Sequence, residues 1–390
     1  MAPMALETLV VPERYLPHIS KEATSKVIGF PEDFQPRTLV NPPLAAIATQ
    51  TVERGCGHHQ ALVVTSTYRY EIRQIPTPTI EEPDEVMIET RAVGLNPIDW
   101  KSVDYKFCLP ELPWVTGREM AGVVRKIGSQ VKGLRPGDRV WTSTYYKKCK
   151  AGCFQQVVTV PQHTILKIPA GISFESAASL GVPGLTAAMT LWHWLEVPFT
   201  AERGRRKSGD FILIWGGSTI TGQFAIQLAL ESGLIVVAVT SSKTASLVRS
   251  RGADHVVTRD DKTDEMIVEE VRNTVGDRLT MAVDIVGPKT AAMAVKALST
   301  SLPSAIAPLS FLPQDFVPPA NVTVRNVEMK RFILDPTSKV YAERLNCLLK
   351  EGRVDIPALE VLPGGLAAIP DGLSRVKRGD MQGKKLIVKV

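Results

Sequence analysis

The segment from Phe211 to Val239 constrains the fold of this chain more than any other. Phe211-Ile-Leu-Ile-Trp215 is an unbroken apolar run, which suits a strand buried on both faces of a sheet. The glycine-rich turn Gly216-Gly-Ser-Thr-Ile-Thr-Gly222 follows. An amphipathic helix is then expected from Gln223 to Ser232, stopped by Gly233. Leu234-Ile-Val-Val-Ala-Val239 is the next buried strand. The alternation continues with a helix over Lys243–Arg251, a strand at His255–Val257, a helix over Thr263–Val275 and a strand at Met281–Val286. Strands alternating with helices in this way build an α/β fold with a parallel, doubly wound sheet.

A sheet of this Rossmann type holds ligands outside the carboxyl ends of its strands. Glycines in the first turn let the backbone approach a pyrophosphate, and the helix that follows offers free N–H groups and a favourable dipole. In the G-x-G-x-x-G frame Gly217 and Gly222 match, and Thr219 stands where the middle glycine would be. The hydroxyls of Ser218, Thr219 and Thr221 are then candidate phosphate contacts, with Gly216 and Ile220 completing the loop. The plainer alternative is a tight turn with no ligand. The end of the second strand chooses the cofactor. An NAD site places an acid there, roughly 20 residues after the glycines. This chain has Thr240-Ser241-Ser242-Lys243, hydroxyls and an ammonium that suit a 2′-phosphate, so NADP(H) is expected over NAD. Ser241 and Ser242 equally suit a helix cap. Arg259 is a second candidate for the adenosine phosphate, or a surface arginine.

The 390 residues suffice for two domains, and 44% hydrophobic with 22% charged residues is ordinary globular composition. The net charge of +6 has one dense run, Arg203-Gly-Arg205-Arg206-Lys207, read as a solvated loop. No basic stripe interleaves with aromatics, so no nucleic-acid partner is expected. No stretch is long and apolar enough for a membrane span, and the N-terminus lacks a secretory pattern. Five irregularly spaced cysteines suit reduced thiols, and the cytoplasm is the expected location.

Residues 1–58, punctuated by Pro31, Pro36, Pro42 and Pro43, read as an accessory arm, partly ordered at best. From Gln60 the texture becomes β-rich: strands are expected at Ala61–Val64, Tyr68–Ile75, Asp84–Leu95, Gly122–Val124 and Gly137–Val140. Ser173–Trp194 reads as helical, broken near Pro183-Gly184. The segment Val354–Val390 reads as strand-like and is expected to return to the first domain. Two bodies are expected: 59–190, to which 346–390 returns, and 191–345, which binds the nucleotide.

Several pieces, in order, resemble the medium-chain dehydrogenase/reductase superfamily over roughly residues 60 to 390. Asn96-Pro-Ile-Asp-Trp-Lys101 is similar to the N-P-x-D segment of its quinone and enoyl reductase branches. Gly117-Arg-Glu-Met-Ala-Gly-Val-Val124 and Gly137-Asp-Arg-Val140 resemble strands of its GroES-like catalytic domain. Ala177–Ala187 is similar to its interdomain helix, and Ile214–Thr219 looks most like the fungal trans-acting enoyl reductases that serve polyketide synthases. The resemblance implies a GroES-like β-rich catalytic domain beside the Rossmann domain, with a cleft between. It also implies hydride transfer to an activated alkene or quinone.

Zinc members of that superfamily carry G-H-E and an early cysteine as ligands. Here the triplet is Gly117-Arg118-Glu119, and arginine has no lone pair for a metal. Gly94-Leu-Asn-Pro97 contains no cysteine, and Cys149 and Cys153 read as incidental rather than as a metal clip. No metal is expected, and alkene reduction then needs a donor for the carbonyl oxygen and a proton for the α carbon. By resemblance Lys101 is the first catalytic candidate, or a cofactor contact. Tyr105 is the second, or a packed loop tyrosine. Asn96 and Asp99 are expected to fix the loop and the nicotinamide, Thr186 to touch the nicotinamide face, and Ile285, Val286 and Gly287 to lie near the ribose. His163 and His193 read as structural. The implied function is an NADPH-dependent trans-acting enoyl reductase of secondary metabolism. It would act on an α,β-unsaturated thioester or polyketide intermediate, a small-molecule or carrier-bound acyl substrate, with a polyketide synthase as partner. A quinone or enone reductase and a low-turnover NADPH-binding or sensing protein are the alternatives; monomer and homodimer both stay open.

Overall fold

The computed structural model describes residues 57–144, 148–199 and 210–390. The arm as far as residue 56 and the basic run 203–207 lie outside them.

Three sheets organise the described chain. A six-stranded sheet has the order β11-β10-β9-β12-β13-β14: His255–Thr258, Ile235–Thr240, Phe211–Trp215, Leu279–Asp284, Ser304–Pro308 and Val322–Val324. Every pairing in it is parallel, as the alternation of strands and helices requires. All five residues of β9 are buried, which explains their unbroken apolarity. The order reverses direction at β9, between β10 and β12, so the crevice that such sheets use for ligands opens there.

A seven-stranded, mainly antiparallel sheet contains β15 (Leu359–Leu362), β16 (Lys385–Lys389), β3 (Glu85–Gly94), β5 (Glu119–Ile127), β6 (Arg139–Ser143) and β8 (Ile165–Lys167) in that order, with β7 (Val157–Pro161) also on β3. The C-terminal strand β16 pairs β3, with Val388 opposite Val93. A smaller sheet joins β2 (Tyr70–Pro76), β1 (His58–Val64) and β4 (Trp114–Val115).

Three expected elements differ. The helix after the glycine turn, α2 (Ile220–Glu231), begins three residues early because the Thr219 hydroxyl caps it, accepting from the Gly222 N–H at 3.0 Å. It is also buried almost all round, Gln223 and Gln227 included, rather than two-faced. The segment Val354–Val390 is not strand throughout: a helix spans Ile369–Arg378 and buries Ile369, Gly372, Leu373 and Val376, one stripe at helical spacing. Pro370 is tolerated in its first turn, and Gly379, in the left-handed region at φ 75, ends it. The fourth parallel strand stops at Asp284, which leaves Ile285 and Val286 in the turn beyond it.

The interdomain segment runs through Phe174–Ala177, a wide turn at Leu180–Gly184 and a helix at Leu185–Met189, opening out at Pro183 as expected. Its buried side chains share one core cluster with Trp141, Phe224 and Phe332. Trp141 Nε1 donates to Asn346 Oδ1 at 3.1 Å, and Asn346 Nδ2 donates to the Lys167 carbonyl at 2.9 Å, so helix Lys339–Lys350 is tied to β6 and β8. His163 and His193 are structural here: their rings bond the Ile333 carbonyl at 2.9 Å and the Tyr341 hydroxyl at 3.2 Å.

Candidate active site

A cleft of about 490 Å³ opens at the carboxyl ends of β9, β10 and β12. Ten of the residues singled out from sequence line it: Asn96, Gly216, Ser218, Thr219, Ile220, Thr221, Ser241, Arg259, Ile285 and Val286. Pro183, Trp215 and the turn Met381–Leu386 complete the wall.

The glycine loop is shaped for close approach. Gly216 sits at φ +97, and a Cβ there would lie 2.9 Å from Val286 Cγ2. A Cβ on Gly222 would lie 2.3 Å from the Gly216 carbonyl oxygen. Gly217 and Gly222 are therefore packed within the turn. Thr219 does not replace the missing glycine by reaching outward. Its hydroxyl donates back to the Gly216 carbonyl at 2.8 Å, which spends its only proton inside the loop. Thr221 and Ile220 remain on the first helical turn, whose N–H groups lack intrahelical acceptors. A nucleotide phosphate fits this cradle.

At the end of β10, Ser241 and Arg259 face the cleft, whereas Ser242 and Lys243 are exposed outside its lining. The Ser242 N–H donates to the carboxylate of Asp260, and this bond holds the Asp260 pKa below its ordinary value. The sequence seemed to leave this corner free of acids. Parallel pairing of Thr240 with Thr258 brings one in from the next strand.

At the end of β12, Asp284 is buried and accepts from the Gly287 N–H at 2.9 Å and the Val286 N–H at 3.2 Å. Burial raises its pKa to about 6. It fixes the 285–287 turn, and Gly287 stands behind the cleft lining.

The other wall carries a buried polar network. Helix α1 (Pro97–Asp104) starts from Asn96. The Asn96 side chain is not spent on capping: Nδ2 donates to Glu119 Oε1 at 2.8 Å, and Oδ1 accepts from Lys385 Nζ at 2.6 Å. Lys385 also donates to the Leu95 carbonyl at 2.9 Å and lies 2.5 Å from Glu119 Oε1. Glu119 Oε2 accepts from the Val182 N–H at 2.7 Å. Gly94 leaves room for that carboxylate, where a Cβ would lie 2.3 Å from Glu119 Oε1, and Gly181 for the root of the side chain, where a Cβ would lie 2.8 Å from Glu119 Cβ. Asp99 accepts from the Asn96 N–H at 2.9 Å, is fully buried, and has its pKa pushed up to about 7 by that burial.

A second chamber of about 260 Å³ is lined by Ile98, Arg118, Ser143, Thr144, Val182, Thr186 and Leu309, among others. It adjoins the first: Pro97 and Pro183 line the cleft while their chain neighbours Ile98 and Val182 line the chamber. Thr186 is thus placed in the chamber rather than the cleft. Lys101 and Tyr105, at the far end of α1, line neither. The Lys101 ammonium lies 5.9 Å from the Trp100 ring centre, and burial lowers its pKa; the Tyr105 ring packs at 5.8 Å from Trp100.

These residues do not fit zinc. Arg118 has no lone pair to give, both Glu119 oxygens are engaged, and Asn96 is turned to Lys385. Among the described residues no three His, Cys, Asp or Glu side chains group as metal ligands. Burial raises the pKa of Cys153, whose Sγ lies 3.6 Å from Thr144 Oγ1, and Cys149 is half-buried. No helix of the described residues is long and apolar enough to cross a membrane.

Lys385 and Glu119 were not singled out from sequence. Lysine beside Lys384 at a strand start reads as solvated, and Glu119 reads only as the third residue of a triplet.

Residues 82–170 match the family Alcohol dehydrogenase GroES-like domain and residues 221–350 the family Zinc-binding dehydrogenase. A trans-enoyl reductase of Aspergillus japonicus is 30% identical over 317 residues, 78% of this chain and 90% of the relative. One of Penicillium crustosum is 30% identical over 363 residues, 85% and 96% of the two chains. The fold also matches a quinone oxidoreductase of Pseudomonas syringae pv. Tomato DC3000 at TM-score 0.71 and 22% identity, covering 86% of this chain and 99% of that one. CurK enoyl reductase matches at TM-score 0.69 and 19% identity, covering 85% and 98%. With its GroES-like sheet, its parallel Rossmann sheet and relatives of this identity, the chain belongs to the medium-chain dehydrogenase/reductase family of nicotinamide-dependent oxidoreductases.

Proposed function

We propose that the protein is a zinc-independent, NADPH-dependent enoyl reductase that acts in trans on an α,β-unsaturated thioester, an acyl intermediate carried by a polyketide synthase of secondary metabolism. The observation that carries this reading is the adjoining pair of sites: a nucleotide cleft that shares α1 and the Val182-Pro183 turn with a mostly apolar chamber. Kinship with fungal trans-enoyl reductases supports the acyl substrate.

Bound NADPH supplies a hydride. The N–H groups of Ile220 and Thr221 and the hydroxyls of Ser218 and Thr221 hold its pyrophosphate, with Gly216, Gly217 and Gly222 keeping the approach open. Thr219 shapes the loop. Ser241, Ser242, Lys243 and Arg259 would hold the adenosine 2′-phosphate, two hydroxyls and two cations, with the Asp260 carboxylate opposing them. Ile285, Val286 and Gly287 would hold the nicotinamide ribose. Asn96 and Asp99 would position the nicotinamide through the Glu119–Lys385 network, and Thr186 would meet it from the chamber side. Lys101, with Tyr105 as its second, lines neither cavity, so its part in supplying the α proton would run through water from α1 rather than by contact with the substrate; burial lowers its pKa, which eases proton release. Arg118 in place of a ligand supports the metal-free reading. Residues 59–190 and 346–390 would form the catalytic body and 191–345 the nucleotide body.

A chamber of about 260 Å³ holds a short acyl unit, and it equally suits a small quinone or enone. That size keeps a small-molecule quinone or enone reductase as the second reading. NADPH consumption measured against enoyl thioesters, quinones and aldehydes tests the choice. Turnover is expected with enoyl thioesters; turnover confined to quinones would move the assignment to the second reading, and none with any acceptor would overturn both.

A further inference from the structure

The arginine that excludes a metal has a position from which to do a metal's work. We propose that Arg118 is a catalytic residue of the chamber, binding the substrate carbonyl oxygen through its guanidinium and stabilising the negative charge that gathers there. The inference rests on the enoyl reductase reading above.

Three observations carry it. First, Arg118 is fixed at its root: Gly117 before it adopts φ +93 against the Phe154 ring, its own carbonyl accepts from the Thr144 N–H at 2.8 Å, and β5 begins at the next residue. Second, it lines a chamber whose other walls are largely apolar, Ile98, Val182, Leu309, Val327 and Met329. The other chamber cation, Lys330, is exposed and paired with Glu328 at 2.9 Å. A charge-assisted hydrogen bond in an apolar, water-poor site is stronger than the same bond in water. Third, Arg118 shares the chamber with Ile98 and Val182, whose chain neighbours Pro97 and Pro183 line the nucleotide cleft, so a carbonyl held at Arg118 lies in the compartment next to the cofactor's.

The step balances. A hydride from the reduced nicotinamide adds to the β carbon and brings two electrons. The C=C π pair shifts to join the α carbon to the carbonyl carbon, and the carbonyl π pair moves onto oxygen. The enolate oxygen is paired with the guanidinium until the α carbon takes a proton, drawn ultimately from water.

The test uses the full chain, the crotonyl thioester of N-acetylcysteamine with NADPH, and cinnamate as a non-reacting probe whose carboxylate carries charge where the enolate oxygen would. Loss of one oxyanion donor lowers kcat by about 100-fold or more, and this is expected for Arg118→Ala with the KM for NADPH within about twofold of wild type. Added methylguanidine should restore part of that loss, which it would not do for a residue that only holds the fold. Arg118→Lys should retain an intermediate rate. Cinnamate binding to the NADP⁺-loaded protein, followed by calorimetry, should weaken at least about tenfold in Arg118→Ala. Unchanged kcat and unchanged cinnamate affinity would overturn the proposal. Should Arg118→Ala not fold, Arg118→Lys decides: wild-type kcat and wild-type cinnamate affinity together would contradict it. Wild-type protein that reduces no enoyl thioester yet binds cinnamate through Arg118 would sink the enoyl reductase reading while leaving the anion site standing.

Discussion

Lys385 Nζ lies 2.5 Å from Glu119 Oε1, and both side chains are buried, with Lys385 at the lining of the cleft. The pair joins the last strand of the chain to β5, and through Asn96 to the start of α1. Taking two charges out of water is costly, so the pair itself adds little net stability. Removing one partner is different, because the other is left buried and uncompensated.

Lys385→Met should therefore destabilise the fold by about 3–5 kcal/mol, as should Glu119→Gln to a lesser degree. Urea unfolding of the two single variants and the Glu119→Gln/Lys385→Met double variant measures it. The double variant should cost clearly less than the sum of the singles. Additive losses would mean that the two groups do not act as a pair.

Asp99 gives a pH signature. Its pKa is raised to about 7, so the folded chain keeps a proton that the unfolded chain loses near the ordinary carboxyl value. The resulting stabilisation is full at acid pH and is lost as pH rises through about 7. Asp99→Asn, neutral throughout, retains an acceptor for the Asn96 N–H. Its Tm relative to wild type should rise between about pH 5 and pH 8. A constant difference across that range would contradict an Asp99 that is protonated in the fold.

Cofactor choice should depend on two opposed charges at the end of β10. Lys243→Glu should raise the KM for NADPH far more than that for NADH. Asp260→Asn, which removes the carboxylate at the Ser242 N–H, should lower the KM for NADPH, by about threefold or more for one unit of nearby charge. Equal effects on both cofactors would remove the basis of the NADP assignment.

Lys101→Ala should lower kcat by at least about tenfold with the alkaline limb of the kcat–pH profile lost. A raised KM for NADPH with unchanged kcat would make Lys101 a cofactor contact.

The parallel sheet was legible because β9 and β10 are buried on both faces and so carry no polar interruption. The glycine turn was legible because only glycine tolerates φ +97 against Val286. Helix Ile369–Arg378 was hidden behind Pro370 and Gly372, although its stripe at 369, 372, 373 and 376 has helical spacing. Asp260 and Lys385 were hidden for another reason. Each reaches its site through strand pairing with a distant segment, Thr258 beside Thr240 and Ile387 opposite Gly94, and no local pattern records such a neighbour.

The central claim is conjugate hydride transfer, and the position of a label tests it most directly. The protein is given NADPH deuterated at the transferring C4 position, together with the crotonyl thioester of N-acetylcysteamine in ordinary water. The account predicts a saturated butyryl thioester with deuterium at the β carbon, and solvent deuterium at the α carbon when the same reaction is run in D₂O. Deuterium on the former carbonyl carbon, as an aldehyde or alcohol, or oxidation of NADPH with the alkene left intact, would contradict it.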